Sequence, residues 1–438
     1  MAEAKKKLST EPYKGVRDFY PQDFAIEKYI FDVCRKTAES FGYEEYAASP
    51  LENAELYRAK SGEELVNEQT YTFVDRGKRE VTLRPEMTPS VARMIAAKRK
   101  TLFFPVRWYS IQNFFRYERP QKGRLREHFQ LNADIFGVNG IEAETEIIAL
   151  AYEVLRNFGM KDLDFEIRVN SRKVMNYIIG TLLALSEDSA KKTAQLIDRR
   201  AKMEKGVFEQ SLRELVGEKN PLMLTLLNSQ NFEEFISHLP EEKGLTENLE
   251  EIKNLISALN SLGITNVIFD QSLMRGFDYY TGLVFEVYDK HPGNLRSMFG
   301  GGRYDDLLDI FGVEKVPTVG FGMGDVTVRD MLFAYGLLPK ELPRAAELYM
   351  SATGKEYNGY VNDLAQTLRR QGIRVIVDYS EGKVSTKIKN ADRVKVPYVS
   401  IIGEHEKASG EIKVKELATG KEVALAEDKI ATFIKNNI

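Results

Sequence analysis

The sequence predicts an α+β protein in which an antiparallel-sheet core is interrupted by a helical insertion and followed by a small α/β domain. Two runs rich in aromatic and β-branched residues, 108–117 and 129–136, have the period of strands and flank one charged loop. Residues 171–262 are Gly-poor and follow helical spacing, whereas from residue 347 strands and helices alternate. The predicted units are therefore core residues 1–170 and 263–336, an insertion at 171–262 and a C-terminal domain at 344–438.

Composition narrows the class of protein. The 438 residues have room for about two to four domains, and 43% hydrophobic with 29% charged residues are typical of a globular protein. The net charge of −3 means that any RNA contact depends on local patches; residues 344–438 are mildly basic, with 16 Lys and Arg against 13 Asp and Glu. The single cysteine, Cys34, excludes an intramolecular disulfide and fits a cytoplasmic protein.

We expect neither a metal site nor a membrane-spanning segment. The four histidines are scattered without metal-ligand spacing, so we predict no tightly bound, protein-ligated metal. No apolar run reaches the length of about 18 residues that a membrane span needs, so we predict no membrane partner.

The chain opens with a turn-rich entry at residues 15–21. Apolar residues at helical spacing follow from 22 to 41, with Gly42 closing the helix, and 43–51 resembles a strand broken by Pro50. A hairpin over 69–83 then leads to Glu86 and Thr88, just ahead of a helix. This carboxylate and hydroxyl could bind an α-amino group, or they could be ordinary helix-start residues.

The central hairpin is the most informative stretch. Its loop concentrates positive charge, and its second strand places polar side chains on one face, at Arg126, His128, Gln130, Asn132 and Asp134. Planar guanidinium groups suit phosphate and carboxylate oxygens, so this face could hold a polyanion beside a small cationic ligand. The alternative is a solvated hairpin with a charged tip.

Three further stretches lie in the second part of the core. Residues 273–282 offer a guanidinium, Arg275, beside two phenols, although paired tyrosines are more often part of a hydrophobic core. Residues 300–307 are predicted to form a glycine loop that opens a helix and lets the backbone approach a ligand. Residues 319–325 are predicted to lead into a helix through Leu332.

These stretches resemble the motifs of the histidyl-tRNA synthetase family, which belongs to the class II aminoacyl-tRNA synthetases. Residues 116–127, with the sequence RYERPQKGRLRE, resemble motif 2, and 319–325 resemble motif 3. The helix and strand at 22–51 resemble motif 1, which in the family builds the dimer interface. Residues 84–88 resemble the amino-acid-binding turn, 15–21 the family's opening, and 273–282 and 300–307 its two histidine-specific peptides. Residues 344–438 resemble its anticodon-binding domain.

The resemblance implies a ligase that activates L-histidine with ATP, accompanied by Mg²⁺, and transfers it to tRNA(His), acting as a homodimer. It implies that Arg116 and Arg275 are catalytic. The histidine-binding residues would be Glu86, Thr88, Gln130, Asp134, Arg275, Tyr279, Tyr280 and Tyr304, with the first four at the α-amino group and Tyr280 and Tyr304 at the imidazole. The ATP-binding residues would be Arg116, Glu118, Arg126, Phe129, Gly322, Gly324 and Arg329.

The sequence departs from the family pattern at two places. Val326 and Thr327 stand where the family commonly has the arginine that meets the ATP γ-phosphate, which leaves Arg329 as the nearest candidate. His128 and Phe129 reverse the usual order of ring residues, so a stacking role would fall to Phe129.

Three alternatives remain at this point. A non-catalytic paralogue, such as the regulatory subunit of ATP phosphoribosyltransferase, would normally lack the C-terminal domain and the motif at 275–282. A different class II synthetase would lack the two histidine-specific peptides. An RNA-binding adaptor would not need arginines around a Gly-rich pocket.

Overall fold

The computed structural model describes residues 8–58, 69–119, 123–200, 203–274, 279–294, 297–339 and 344–437. The chain divides into two compact units, residues 1–339 and 340–438. Within the described residues, the first unit contains an eight-stranded and a three-stranded sheet, and the second a five-stranded sheet. Sheets flanked by helices confirm the predicted α+β class.

The eight-stranded sheet carries the central hairpin. Its strands are β1 (Glu44–Glu45), β5 (Val106–Phe115), β6 (Glu127–Phe136), β7 (Phe165–Ser171), β8 (Val267–Phe269), β9 (Leu283–Asp289), β10 (Ser297–Arg303) and β11 (Thr318–Gly324). They lie in the order β1-β5-β6-β11-β10-β9-β7-β8. The six inner strands pair antiparallel, and β1 and β8 add one parallel strand at each edge.

Three helices cover one face of this sheet: α1 (Pro21–Ser40), α4 (Glu142–Asn157) and α11 (Asp325–Ala334). Helix α1 begins with a proline, whose missing N–H costs nothing in the first turn, and ends before Gly42, which has φ +79°. Its inward side chains, such as Ile30 and Cys34, share a core with Leu131 and Ile135 of β6. Because side chains alternate along β6, Gln130 and Asp134 lie on the opposite face.

The three-stranded sheet and two helices lie beside that opposite face. Strands β2 (Leu51–Asn53), β4 (Glu80–Leu83) and β3 (Tyr71–Val74) pair antiparallel in that order, with helix α2 (Ala54–Arg58) following β2. Helix α3 (Thr88–Lys98) begins five residues after β4 ends. A second core contains Met87, Val91 and Phe114 together with Tyr279 and Tyr304.

The segment between β7 and β8 is helical throughout its described part. It contains α5 (Arg172–Asn176), a π-helical turn (Tyr177–Leu182), α6 (Glu187–Asp198), α7 (Lys205–Val216), a 3₁₀ turn (Gly217–Lys219), α8 (Asn220–Asn228), α9 (Phe232–Ser237) and α10 (Lys243–Ser261). Leucines at helical spacing, such as Leu245, Leu249 and Leu259, are buried along α10. None of the helices in the described residues is both long and apolar enough to cross a membrane.

The glycine stretch at 300–302 corrects the sequence prediction. It is not a loop opening a helix but the middle of β10, and only a short 3₁₀ turn (Leu307–Phe311) follows it. A Cβ at Gly300 would lie 2.3 Å from Phe285 O, and one at Gly301 would lie 2.1 Å from Gly320 O. The glycines therefore allow neighbouring strands, rather than a ligand, to approach closely.

The second unit is a small α/β domain. Strands β12 (Leu348–Ala352), β13 (Val375–Asp378), β14 (Tyr398–Ile402), β15 (Glu411–Glu416) and β16 (Glu422–Ala426) lie in the order β13-β12-β14-β15-β16. The first three pair in parallel, and the last two form an antiparallel hairpin. The helices are a 3₁₀ turn (Lys355–Tyr357), α12 (Asn358–Arg370), α13 (Val384–Arg393), α14 (Glu404–Ser409) and α15 (Glu427–Asn436).

A buried ion pair joins β10 to α4. Both oxygens of Glu144 accept from Arg303, with Nε–Oε1 and Nη2–Oε2 distances of 2.6 Å, and the side chains are 7% and 3% exposed. The same guanidinium donates to the carbonyls of Val138 and Gly140. A bidentate pair with its remaining donors satisfied holds the start of the helix to the sheet.

Removing one partner leaves the other charge buried. We therefore expect Arg303→Met to lower the free energy of unfolding of the first unit by about 3–5 kcal/mol. Urea unfolding followed by the fluorescence of Trp108, the chain's one tryptophan, measures this. As a control, Arg79→Met removes an exposed pair with Asp75, which should cost less than about 1 kcal/mol. Equal effects of the two substitutions would contradict the expectation.

Candidate active site

The turn after β4 places Glu86 and Thr88 against a buried tyrosine. The hydroxyl of Tyr279 lies 3.1 Å from Glu86 Oε2 and 3.5 Å from Thr88 Oγ1. Tyr57 donates to the carbonyl of Glu86 at 3.3 Å from the other side. All these side chains are buried, so the carboxylate of Glu86 is fixed in a largely apolar surrounding.

A second tyrosine meets a second carboxylate nearby. The hydroxyl of Tyr304 donates to Asp134 Oδ1, and both residues are almost fully buried. Burial raises the pKa of Asp134 to about 7, although the hydrogen bond from Tyr304 partly opposes this rise. At neutral pH this carboxyl group is therefore available both as an ionised acceptor and as a protonated donor.

Aromatic contacts make the two tyrosine–carboxylate pairs neighbours. The rings of Tyr279 and Tyr304 meet edge to face with 5.6 Å between centroids, and the ring of Tyr280 lies 4.9 Å from that of Tyr279. The structure thus brings six of the predicted histidine-binding side chains to one place, namely Glu86, Thr88, Asp134, Tyr279, Tyr280 and Tyr304. They form a buried polar group inside the second core.

Glycines in β11 provide the space for the polar side chains of β6. Asp134 pairs with Gly320, and a Cβ there would lie 1.9 Å from Asp134 Oδ1. A Cβ at Gly322 would lie 1.8 Å from Nε2 of Gln130. Gln130 and Asp134 therefore lie across a strand surface that has no side chains of its own, and Gly322 is part of the site's wall.

Arginines of the central hairpin border the same turn. Nε of Arg116 donates to the carbonyl of Pro85 at 2.9 Å. Because Pro85 directly precedes Glu86, this guanidinium lies against the turn that carries Glu86. Its Nη1 lies 4.0 Å from Oε1 of Glu118. Arg126 donates to Glu118 O at 3.2 Å and stacks 4.0 Å from the ring of Tyr117. The guanidinium groups of Arg116 and Arg126 are thus held next to Glu118.

Two residues predicted to bind ATP make other contacts. Phe129 lies on the helix-facing side of β6, where its ring centroid is 5.1 Å from that of Phe31 in α1; His128 is the ring on the Gln130 face. Arg329 donates to Glu27 Oε1 at 2.8 Å, again on α1. The structure does not bring Phe129 or Arg329 to the side chains described above, and their nucleotide roles stay predictions. Arg275 lies outside the described residues.

His128 is held as a neutral ring. Its pKa is lowered to about 3, first by burial and then by the positive charges of Arg116 and Arg17. The ring lies 5.9 Å from that of Phe114. An uncharged imidazole on this face adds no positive charge to that of the arginines.

Sequence reasoning missed the polar residues beneath the site. Ser110 and Asn132 face each other across β5 and β6, and Tyr46 contacts the ring of Trp108. The side-chain oxygens of all three are buried. The period-two face that included Asn132 was the available signal; Tyr46 gave none, because its position depends on the pairing of β1 with β5.

Protein-family models match both units of the chain. A family model described as histidyl-tRNA synthetase matches residues 15–326, which span both parts of the core and the site. The chain belongs to the histidyl-tRNA synthetase family. A second model, described as an anticodon binding domain, matches residues 348–437. The expected family and C-terminal domain are confirmed.

Relatives of this synthetase family match along the whole chain. A histidine–tRNA ligase of Thermoplasma volcanium is 38% identical over 433 residues, covering 98% of this chain and 99% of that protein. One of Leptospira biflexa is 36% identical over 438 residues, covering 99% of each. The fold is similar to a crystal structure of histidyl-tRNA synthetase from Nostoc sp. PCC 7120, with a TM-score of 0.81, 24% identity and coverage of 99% of this chain and all of that one.

The candidate site contains carboxylates, but among the described residues they are not grouped as metal ligands. In the part of the chain that the structure describes, no three His, Cys, Asp or Glu side chains are grouped so that they could hold a metal ion. Glu86 and Asp134 are instead each bonded to a tyrosine.

The raised pKa of Asp134 predicts a specific pH dependence of stability. Because the folded state keeps this proton up to about pH 7, whereas an unfolded aspartate loses it near pH 4, the contribution to stability is full below about pH 4 and falls as pH rises to about 7. The difference in free energy of unfolding between wild type and Asp134→Asn should therefore move against wild type across this range.

Urea unfolding followed by Trp108, which pairs with Asp134 across β5 and β6, measures the difference at pH 5 and pH 7. Asp75→Asn, in an exposed turn, is the control. Parallel pH profiles for wild type and Asp134→Asn would show that Asp134 is ionised throughout.

Proposed function

We propose that this protein is a histidine–tRNA ligase, which activates histidine with ATP and transfers it to tRNA(His). The observation that carries this proposal is the pair of buried tyrosine–carboxylate contacts, Tyr279 with Glu86 and Tyr304 with Asp134, beside the Arg116 guanidinium. Such a site offers carboxylates for a cationic amino group and hydroxyl groups for a polar ring. The relatives at 36–38% identity are named histidine–tRNA ligase, and the match covers 99% of each of them.

Histidine recognition rests on hydrogen bonds at both ends of the substrate. Glu86 and Thr88, with Gln130 and Asp134 from β6, are the acceptors for the α-amino group. Tyr280 and Tyr304 are the partners of the imidazole. Because Tyr304 donates to Asp134, the carboxyl group that accepts from the α-amino group also fixes the position of the Tyr304 hydroxyl. An amino acid lacking these nitrogens would leave buried groups unpaired.

The nucleotide binds beside the hairpin. Arg116 contacts the α-phosphate and the substrate carboxylate, while Glu118 lies near the adenine and Arg126 near the phosphates. Gly324 leaves room for the nucleotide at the end of β11, and Gly322, whose free space holds the side chain of Gln130, lines the pocket beside it. Supporting this, Arg116 is fixed by the carbonyl of Pro85, so it borders the nucleotide and the histidine pockets at once.

The first step is an in-line displacement at phosphorus. A carboxylate oxygen of histidine attacks the α-phosphorus, the bond to the bridging oxygen breaks, and pyrophosphate leaves, giving histidyl-adenylate. Arg116 and Arg275 stabilise the charge that develops on the α-phosphate oxygens. Mg²⁺ enters with ATP and neutralises the phosphates of the leaving group.

The second step moves the histidyl group to RNA. A terminal hydroxyl of tRNA(His) attacks the adenylate carbonyl and AMP leaves, while the protein positions the two reactants. The C-terminal domain is the expected contact for the anticodon. We further propose that the protein acts in the cytoplasm as a homodimer whose interface includes the segment from α1 to β2.

A regulatory, non-catalytic role is not favoured. The C-terminal domain is present, and the histidine-binding side chains Glu86, Thr88 and Tyr279 are in mutual contact. The relatives of Leptospira biflexa and Thermoplasma volcanium, which match nearly the whole chain, are named as ligases.

The proposal is tested by ATP–pyrophosphate exchange with each of the twenty amino acids. We expect exchange with histidine alone. Arg116→Ala and Arg275→Ala should each lower kcat by about a hundredfold or more, because each removes a group that stabilises the transition state, while Arg99→Ala, a surface pair with Glu314, should leave it unchanged. Exchange with no amino acid would favour a regulatory protein, and exchange with another amino acid would reassign the specificity.

A further inference from the structure

Arg84 is the first residue of the turn that carries Glu86, and its guanidinium is buried. The residue is 1% exposed. Its Nε donates to the carbonyl of Asn113 at 2.9 Å and its Nη1 to that of Ala48 at 2.7 Å. Its Nη2 lies 2.9 Å from Gln112 Oε1 and 3.2 Å from Asn113 Oδ1.

These acceptors are all neutral. Among the described residues no carboxylate lies within ion-pair distance of Arg84, and burial lowers its pKa, opposed by the phenols of Tyr57 and Tyr46. The face of the guanidinium lies 5.2 Å from the ring of Phe114. A buried charge without a counter-ion is costly. The burial of the Arg84 guanidinium is therefore not explained by a stabilising ion pair.

The position of Arg84 in the sheet explains the arrangement. Strand β5 is paired with β1 only at Trp108 and Tyr109, and among the described residues no other strand pairs with that edge of β5. Arg84 occupies the open edge: its carbonyl accepts from Phe115 N at 3.0 Å, and its side chain donates to Asn113 O. Arg84 thus provides hydrogen-bond partners for the backbone groups on this edge of β5, as a neighbouring strand would.

The same residue also reaches the preceding segment. Its N–H donates to Pro50 O at 2.9 Å, and its side chain donates to Ala48 O. Arg84 therefore fixes the turn at residues 84–88 relative to two elements, the 48–50 segment and the strand opposite Gln130 and Asp134. A lysine has no planar fork with which to reach all of these acceptors.

We propose that Arg84 is a positioning residue for amino-acid binding: by docking the turn on the open edge of β5, it sets Glu86 and Thr88 at the distance from Gln130 and Asp134 that histidine requires. The inference rests on the proposed function and identifies a residue to which that function assigned no role. Arg84 does not touch the substrate. It acts through the backbone of the turn.

The test compares Arg84→Lys, which keeps the charge but not the fork, with Arg84→Met, which keeps only the apolar stem. In histidine-dependent ATP–pyrophosphate exchange we expect both to raise the KM for histidine by about ten- to a hundredfold, the effect of an ångström of misplacement. The KM for ATP should change by less than the KM for histidine, because the turn carries the amino-acid-binding groups and reaches the nucleotide side only through the contact of Pro85 with Arg116.

The matched control is Arg107→Met, which removes an arginine of β5 that makes a bidentate pair with Glu146 and, among the described residues, no hydrogen bond with the turn. It should leave both KM values unchanged. Melting temperatures are measured for all variants, since a residue that acts only in packing would lower the melting temperature and leave the KM for histidine at the wild-type value. That result in Arg84→Lys would overturn the inference.

Two other results would still decide the inference about Arg84. If neither Arg84 variant folds, Asn113→Ala removes one acceptor from the helix-facing side of β5; a raised KM for histidine supports the inference, and an unchanged KM overturns it. If wild type shows no histidine-dependent exchange, the proposed function fails. The inference about Arg84 is then decided by equilibrium dialysis of histidine, where weaker binding by Arg84→Lys supports it and equal binding overturns it.

Discussion

The constraint on which the site depends is the burial of two carboxyl groups, Glu86 and Asp134, in an apolar core. A buried carboxylate is unfavourable unless hydrogen-bond donors replace water. The structure supplies one tyrosine hydroxyl to each, and the tyrosine rings contribute the apolar packing that excludes solvent. The polar pocket and the second hydrophobic core are therefore one arrangement, in which Tyr279 and Tyr304 belong to both.

On the side of β6 that faces helix α1, two partly exposed arginines pair with two buried carboxyl groups, Asp325 and Glu27. Arg17, from the entry segment, contacts Asp325 at 2.6 Å, and Arg329 contacts Glu27 at 2.8 Å. Burial raises the pKa of both carboxyl groups, and the arginines oppose this rise. Asp325 also accepts from the backbone of Phe129 at 2.8 Å. The start of α11 is thus fixed to the entry segment and to β6.

Much of the fold was predictable because hydrophobic period and turn residues are local signals. The hairpin of β5 and β6, the helix α1 and the alternating C-terminal unit follow from them. The glycine stretch of β10 was not, because a glycine run predicts a loop unless the neighbouring strand surface is known. The site was predictable where motif and geometry coincide, as at Glu86, Thr88 and Tyr279. It was not predictable at Arg84 or Tyr46, whose contacts depend on which edge of β5 is left unpaired.

The glycines of β10 and β11 have an evolutionary consequence. A cavity lined by large side chains can be enlarged or reshaped by replacing any of them with a smaller residue. Such a cavity therefore tolerates many substitutions. Here the room for Gln130 and Asp134 exists because atoms are missing from the facing strand, and the smallest possible addition, a methyl group, would occupy it. A substitution on the glycine side therefore requires Gln130 or Asp134 to move, and at Gly320 the added Cβ would also lie 2.9 Å from the carbonyl oxygen of Ala133.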